Sequence, residues 1–255
     1  MPALTDRTEI RARLERDPYW SLYALCDLEP YHFAHASWLR PEPDAGGIAL
    51  LYREFAPPIF AFVGNPEEAR AVLAEACEPD LYLHVRPEIV AVASDLYADV
   101  TAREMLRMAL DPERFQPAPG PARRLGPADL PALERLYGSG AEKERPDFFF
   151  PSMLERGVFH GLWEDGELAA VAGTHLAAPS VQAAAIGNVF TRPDRRGRGL
   201  GRITTSAVID ELLDRGMTRI GLCVAPANLG ARRAYEALGF QVHCTYCEGR
   251  ASGLR

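Results

Sequence analysis

The segment from 181 to 216 constrains the fold more than any other part of this 255-residue chain. A strand predicted at about 181–191 is ended by Arg192-Pro193-Asp194. A helix follows, because apolar residues recur at helical spacing from Leu200 until Gly216 closes it. Between them lies a turn, 195–202, with three glycines and four arginines in eight residues. This order of strand, glycine-rich turn and helix is typical of α/β domains.

Such a turn favours anion binding. The first N–H groups of a helix have no partner within the helix, and the helix dipole favours negative charge there. Glycine lets a ligand approach these groups because it has no Cβ, and each charge-assisted hydrogen bond from an arginine adds ~1.5–3 kcal/mol. The predicted phosphate-binding residues are Arg196, Gly197, Arg198, Gly199, Leu200, Gly201 and Arg202. The alternative is a solvated basic turn that only caps the helix.

Two nucleotide-binding motifs do not fit the spacing of this turn. A P-loop has its second glycine five residues after the first, but Arg202 stands five residues after Gly197. A dinucleotide fingerprint has a glycine three residues after its second one, but Arg202 follows Gly199 and Thr204 follows Gly201 at that distance. The turn therefore belongs to neither class.

The flanking sequence predicts a mixed sheet. Runs at 157–163 and 167–175 are joined through Glu164-Asp165-Gly166, and Asp-Gly is a strong hairpin signal because both positions accept positive φ. The other predicted elements of this half are a strand at 219–225, a helix at 228–238 ended by Gly239, and a last strand at 240–246. In the first half we expect strands at 48–53, 59–63 and 81–85. We also expect a helix at 8–16 and a second helix that begins after the N-cap Asn65 and runs to about 77.

The segment 116–121 marks the predicted domain boundary, because four of its six residues are Pro or Gly and neither helix nor strand tolerates that density. We expect an N-terminal α/β domain at 1–116, a linker at 117–121 and a second domain at 122–255.

Charge and cysteine content exclude several classes of partner. The net charge of −7 disfavours nucleic acid and anionic membranes as general partners. The chain has no apolar run near the ~18–20 residues that cross a bilayer, and its acidic start is unlike a signal peptide. Five scattered cysteines indicate a reducing compartment, so we expect a cytoplasmic protein. The pairs Cys244-x-x-Cys247 and His32-x-x-His35 lack further ligands nearby, so no metal is predicted.

The spacing Arg-x-x-Gly-x-Gly, at Arg196, Gly199 and Gly201, resembles that of the GNAT superfamily of acyl-CoA-dependent N-acetyltransferases. The resemblance covers about 125–248 and includes a second motif, Asn228-x-x-Ala231-x-x-x-Tyr235-x-x-x-Gly239-Phe240. It implies the GNAT fold, an α/β structure with a mixed sheet. The N-terminal domain is then either a degenerate copy of this fold or a substrate-recognition module.

The resemblance also implies the reaction. Acetyl-CoA, or a similar acyl-CoA, is the co-substrate, no metal takes part, and a monomer or homodimer acylates a primary amine of a small molecule or peptide. In the family the strand before the turn diverges from its parallel neighbour, and the thioester arm pairs with its backbone. The pyrophosphate lies on the N–H groups of 196–202. The strand positions that match this family feature are Val189, Phe190 and Thr191.

Asn228, Ala231 and Tyr235 are candidate contacts for the thioester arm. Asn228 and Tyr235 are seven residues apart and so share one helix face, with the small Ala231 between them. A phenol with a pKa of ~10 stays protonated at neutral pH, which makes Tyr235 the predicted general acid. Taken singly, Asn228 is equally a helix N-cap and Tyr235 a core aromatic residue.

The general base is less defined. Many family members have a glutamate in the strand before the turn, but 183–191 contains no acid and Asn188 cannot act as a base. His175 is the candidate, with an ordinary pKa near ~6.5, and Glu155 or water are alternatives. The missing acid also motivates another function, a non-catalytic acyl-CoA sensor or interaction domain. We expect Cys223 to be a neutral buried thiol, and 147–153 to shape the acceptor site.

Overall fold

The computed structural model describes residues 3–41, 46–146 and 148–255, except for the side chain of Lys143. The chain divides into two compact units. The first comprises Met1–Arg107 and His243–Arg255, and the second comprises Met108–Val242. Both contain helices and a mixed sheet, which confirms the predicted fold class.

The secondary structure is as follows. The strands are β1 (Ala3–Leu4), β2 (Ala36–Leu39), β3 (Ile48–Tyr52), β4 (Ile59–Val63), β5 (Asp80–Val85), β6 (Tyr97–Leu110), β7 (Arg123–Arg124), β8 (Phe159–Glu164), β9 (Glu167–Ala178), β10 (Ala183–Thr191), β11 (Arg219–Val224) and β12 (Gln241–Leu254). The helices are α1 (Arg7–Leu14), α2 (Leu22–Cys26), α3 (Pro30–Phe33), α4 (Pro66–Ala76), α5 (Pro87–Leu96), α6 (Leu130–Gly138), α7 (Met153–Arg156), α8 (Leu200–Asp214) and α9 (Leu229–Glu236). Within the described ranges, no helix has the length and apolar character needed to cross a bilayer.

The sheet of the first unit has the strand order β1-β2-β3-β4-β5-β12-β6. Strands β4 and β5 are parallel, and β5 and β12 are antiparallel. Helix α4 starts as predicted, because Asn65 accepts a hydrogen bond from the N–H of Glu68 at 2.9 Å and the Glu68 side chain returns one. Its buried residues pack in one core with the apolar side chains of β4 and β5.

The sheet of the second unit contains the strand order β11-β10-β9-β8-β7. Only β10 and β11 are parallel among these neighbours. The hairpin between β8 and β9 turns at Asp165 and Gly166, which have φ values of 53° and 80° and confirm the predicted turn. Helices cover the sheet. Leu133 and Leu136 of α6 are buried with Phe159, and Leu200 of α8 is buried with Leu162.

One feature differs from the sequence prediction. The last strand is longer than predicted, because β12 continues to Leu254 and pairs with β5 from Cys247 with Val85 to Ser252 with Asp80. The residues from His243 onward therefore belong to the first unit, and the Pro/Gly-rich 117–121 lies within the second. The domain limits at 116 and 122 stay predictions that rest on composition alone.

Candidate functional site

Strand β10 separates from its parallel neighbour partway along its length. Pairing with β11 runs from Ala183 opposite Arg219 to Ile186 opposite Leu222, whereas β10 continues to Thr191. Its other edge stays paired with β9 as far as Thr191. The backbone at 187–191 thus has one edge that β11 leaves open. This is the divergence that the family resemblance implies.

A β-bulge lies in the diverging part of β10. Between the pairs Gly187–Gly173 and Phe190–Val171, two residues of β10 stand opposite one residue of β9. Asn188, one of the two, has a φ of 54°, a left-handed conformation that asparagine tolerates better than most residues. The bulge changes the direction of the backbone where the open edge begins.

Asn188 is a buried residue of this region whose role the sequence did not show. Its C=O accepts a hydrogen bond from the Tyr137 hydroxyl at 3.1 Å, and its Nδ2 donates to the Met153 sulfur at 3.6 Å. Its Oδ1 is buried and has no hydrogen-bond partner among the residues with described positions. The signal in the sequence was a glycine within a strand pattern, Gly187, because such a glycine often marks a bulge.

The turn after β10 presents a row of backbone donors. The N–H groups of 197–202 form no hydrogen bond within the part of the chain that the structure describes. Gly197 and Gly199 both have a φ of 78°, which favours glycine. A Cβ at either position would meet no atom of a described residue within 4 Å, so the space that these residues leave there is open. These donors and this space fit a diphosphate.

Three of the four arginines of the turn contact carboxylates. Arg196 donates to both oxygens of Glu144 at 2.9 and 3.1 Å, and Arg198 donates to both oxygens of Glu164 at 2.7 Å. Arg195 likewise forms ion pairs with neighbouring acids. Exposed pairs of this kind contribute only ~0–1 kcal/mol each, so an incoming phosphate can compete with them.

Arg202 differs from these three residues. It is exposed in the first turn of α8, and no ion pair of its guanidinium exists among the residues described. Leu200 of the same turn is 7% exposed, so its side chain is in the core and only its backbone N–H group is left for a ligand. A Cβ on Gly201 would lie 3.2 Å from Oγ1 of Thr191, a tight contact that requires the Thr191 side chain to shift slightly.

Helix α9 places Asn228 at the surface and Tyr235 inside. Asn228 is the N-cap, because its Oδ1 accepts from the N–H of Ala231 at 3.2 Å, which leaves its Nδ2 for a ligand. The Tyr235 ring packs against Phe240 with centroids 6.1 Å apart. Burial raises the pKa of Tyr235 above its ordinary value, and the nearby Cys223 adds to this. The hydroxyl therefore keeps its proton at neutral pH.

His175 lies where β10 leaves β11. The register between β9 and β10 shifts next to Ala185, and His175 is the extra residue of β9. Its imidazole covers Gly187, since a Cβ on that glycine would be 2.2 Å from Nε2. The structure thus brings His175 to the start of the open edge. Val189 and Thr191 are half-buried farther along it, whereas the Phe190 side chain is in the core.

Comparison with known proteins agrees with this geometry. Residues 130–240 match the family model described as "Acetyltransferase (GNAT) family". The ribosomal protein bS18-alanine N-acetyltransferase of Salmonella typhimurium is 37% identical over 119 residues, which cover 46% of this chain and 77% of that protein. The chain belongs to the GNAT acetyltransferase family. The resemblance inferred from the Arg/Gly turn and the Tyr235 motif is therefore confirmed.

Other GNAT relatives match over smaller shares of their length. The mycothiol acetyltransferase of Tsukamurella paurometabola is 32% identical over 106 residues, which cover 40% of this chain and 36% of that protein. This chain thus spans about a third of the length of that protein and of the mycothiol acetyltransferase of Beutenbergia cavernae. A GCN5-related N-acetyltransferase from Kribbella flavida has a TM-score of 0.59 at 16% identity, covering 91% of this chain and 95% of that one. That likeness shows the fold alone.

The other candidates of the sequence analysis lie as follows. Within the predicted acceptor segment 147–153, Asp147 is outside the described residues, Phe149 packs in the core and Phe150 is 39% exposed. Cys223 is half-buried on β11, not fully buried as expected. Among the residues described, no group of three His, Cys, Asp or Glu side chains is arranged to hold a metal ion.

Proposed function

We propose that this GNAT protein transfers an acetyl group from acetyl-CoA to a primary amine by direct attack. The observation that carries the proposal is the row of N–H groups at 197–202, which have no hydrogen-bond partner among the described residues and follow a diverging strand. Backbone donors at a helix N-terminus suit the pyrophosphate, and an open strand edge suits an amide-containing arm. Both features lie next to one another along the chain.

The remaining binding residues extend this assignment. The Phe190 side chain packs in the core, so only its backbone is left for the thioester arm. The arm therefore pairs with the backbone of Val189, Phe190 and Thr191. Asn228 donates from Nδ2 to the arm while its Oδ1 caps α9. Ala231 leaves room between Asn228 and Tyr235, since a larger side chain there would narrow the shared helix face.

Acetyl-CoA supplies the thioester whose carbonyl a neutral amine attacks. Tyr235 donates its proton to the departing sulfur, and His175 accepts a proton from the amine, with Glu155 or water as alternatives. The amine must be neutral when it attacks, because an ammonium ion has no lone pair. A residue or water must therefore accept its proton. Cys223 takes no covalent part, so no acyl-enzyme forms.

The acceptor is inferred only as a class. One relative is named for mycothiol and another for an alanine of a ribosomal protein. These names support an acceptor amine on either a small molecule or a protein chain. In this chain, residues 148–153 shape the site for that acceptor. Two further predictions come from the sequence. The protein is cytoplasmic, and it is a monomer or a homodimer.

Release of CoA thiol in the presence of an amine panel tests the proposal. Amino acids, polyamines and peptides with different N-termini are supplied with acetyl-CoA, and binding of CoA is measured separately by calorimetry. We expect CoA to bind and thiol to be released with at least one amine. Binding without release across the panel would favour the sensor, and a burst of acetyl-enzyme would refute direct attack.

Replacing Arg202 with glutamine is expected to weaken CoA binding about tenfold at low salt, because a charge-assisted hydrogen bond contributes ~1.5–3 kcal/mol. The difference from the unchanged protein should shrink at high salt. Calorimetry at two salt concentrations measures both effects. Arg215→Gln, at the other end of α8, is the control. If the Arg202 and Arg215 variants bind CoA with equal affinity, Arg202 is not part of the phosphate site.

A further inference from the structure

The guanidinium of Arg196 holds a carboxylate of the protein itself. Nη1 and Nη2 donate to the two oxygens of Glu144 at 2.9 and 3.1 Å. Nε donates to the C=O of Thr191 at 3.2 Å, and Cζ lies 5.7 Å from the centre of the Phe190 ring. Both edges of the guanidinium that could bind an anion at two points are thus engaged within the protein.

A phosphate group binds an arginine through the same two-point geometry as a carboxylate. Because Nη1 and Nη2 can hold only one anion in this way at a time, Glu144 and a phosphate of CoA compete for Arg196. The Arg196 and Glu144 side chains are 45% and 34% exposed, and an exposed ion pair is weak. The diphosphate carries more negative charge than the carboxylate and also binds the N–H groups of 197–202. It therefore displaces Glu144.

Glu144 belongs to a short segment that lies against strand β10. It ends a 3-10 helix, Glu142–Glu144. Gly140 contacts β10, since a Cβ there would be 2.7 Å from the Phe190 ring. Residues 140–146 are called the Glu144 segment below. They immediately precede the predicted acceptor segment, so a movement of one is passed to the other along the chain.

The carboxylate that pairs with Arg198 is anchored differently. Arg198 donates to both oxygens of Glu164 at 2.7 Å, but Glu164 is part of β8, which pairs with β9 up to this residue. Loss of that ion pair leaves the backbone of Glu164 held by the hairpin. The N–H of Glu144, in contrast, donates to the C=O of Ala141 at 2.9 Å, within its own segment. Of the two carboxylates, Glu144 is thus the one whose displacement frees a segment.

We propose that Glu144 is an internal counter-ion of Arg196 that CoA displaces, and that this displacement releases the Glu144 segment beside the acceptor site. The inference rests on the proposed function, because it takes the turn at 195–202 as the pyrophosphate site. In the CoA-free protein the ion pair holds the segment against β10 and weakens CoA binding by competition. In the complex the segment is free to move, so CoA binding and access to the acceptor site are linked.

Calorimetry with CoA at low salt tests the competition on the full chain. Glu144→Gln removes the charge but keeps an oxygen that accepts from the N–H of Ala141. We expect it to bind CoA about two- to fivefold more tightly than the unchanged protein, the range that corresponds to loss of an exposed ion pair. Glu142→Gln, at an exposed acid of the same 3-10 helix, makes the same change in net charge and should leave the affinity unchanged. In an Arg196→Gln background, Glu144→Gln should have no further effect.

Hydrogen exchange of the unchanged protein measures the release and needs no variant, so it decides even if Glu144→Gln does not fold. Exchange of the backbone N–H groups of the Glu144 segment should become severalfold faster when CoA binds. Equal CoA affinities of the folded Glu144 and Glu142 variants, or exchange that CoA does not accelerate, would overturn this inference alone. If the unchanged protein binds no CoA, the proposed function fails as well.

Discussion

Turnover of the Tyr235→Phe protein is expected to fall about 10²-fold, with the affinity for CoA nearly unchanged. The substitution removes only the hydroxyl and leaves the ring packed on Phe240. General acids contribute ~10²–10⁴-fold, and the low end applies because burial raises the pKa of Tyr235 above its ordinary value. A weaker acid transfers its proton to the sulfur less readily.

Initial rates of thiol release, together with calorimetry for CoA, measure this effect. Tyr97→Phe is the matched control, since it removes a tyrosine hydroxyl that donates to the C=O of Glu78 at 2.9 Å in the first unit. We expect normal turnover for the control. Unchanged turnover of Tyr235→Phe would remove Tyr235 from the mechanism. A loss of CoA affinity as large as the loss of turnover would make Tyr235 a binding residue only.

The Gly199→Ala protein is expected to bind CoA at least about tenfold more weakly, because its Cβ would hold the pyrophosphate away from the N–H groups of the turn. The protein itself has room for that Cβ, so packing is not disturbed. The φ of 78° adds a stability cost of ~1–2 kcal/mol for a residue other than glycine.

Gly216→Ala separates the two effects. Gly216 also has a φ of 78°, and a Cβ there would meet no atom of the described part of the chain within 4 Å, but it follows the other end of α8. Thermal unfolding should show similar losses of stability for both variants, while calorimetry shows weaker CoA binding for Gly199→Ala alone. Equal CoA affinities would mean that the turn does not hold the pyrophosphate.

Local signals in the sequence predicted much of the second unit. The Asp165-Gly166 hairpin and the glycines with positive φ in the turn depend only on neighbouring residues, so they can be read directly. The Asn65 cap of α4 in the first unit is of the same kind. The roles of His175 and Tyr235 stay predictions, because they depend on where a ligand lies.

Features that join distant residues were not predicted. Glu144 is 52 positions from Arg196, and no local pattern indicates that the two form an ion pair. The bulge at Asn188 arises from the relative register of two strands, which periodicity along one strand does not define.

Strand β12 lies between β5 and β6, although translation produces it last among these strands. The contiguous residues 108–242 therefore leave the ribosome before the sheet of the first unit can close. During that interval β5 and β6 lack the strand that separates them, and unpaired strand edges invite association with other chains. The N-terminal part of the nascent polypeptide is thus the part whose sheet is completed last.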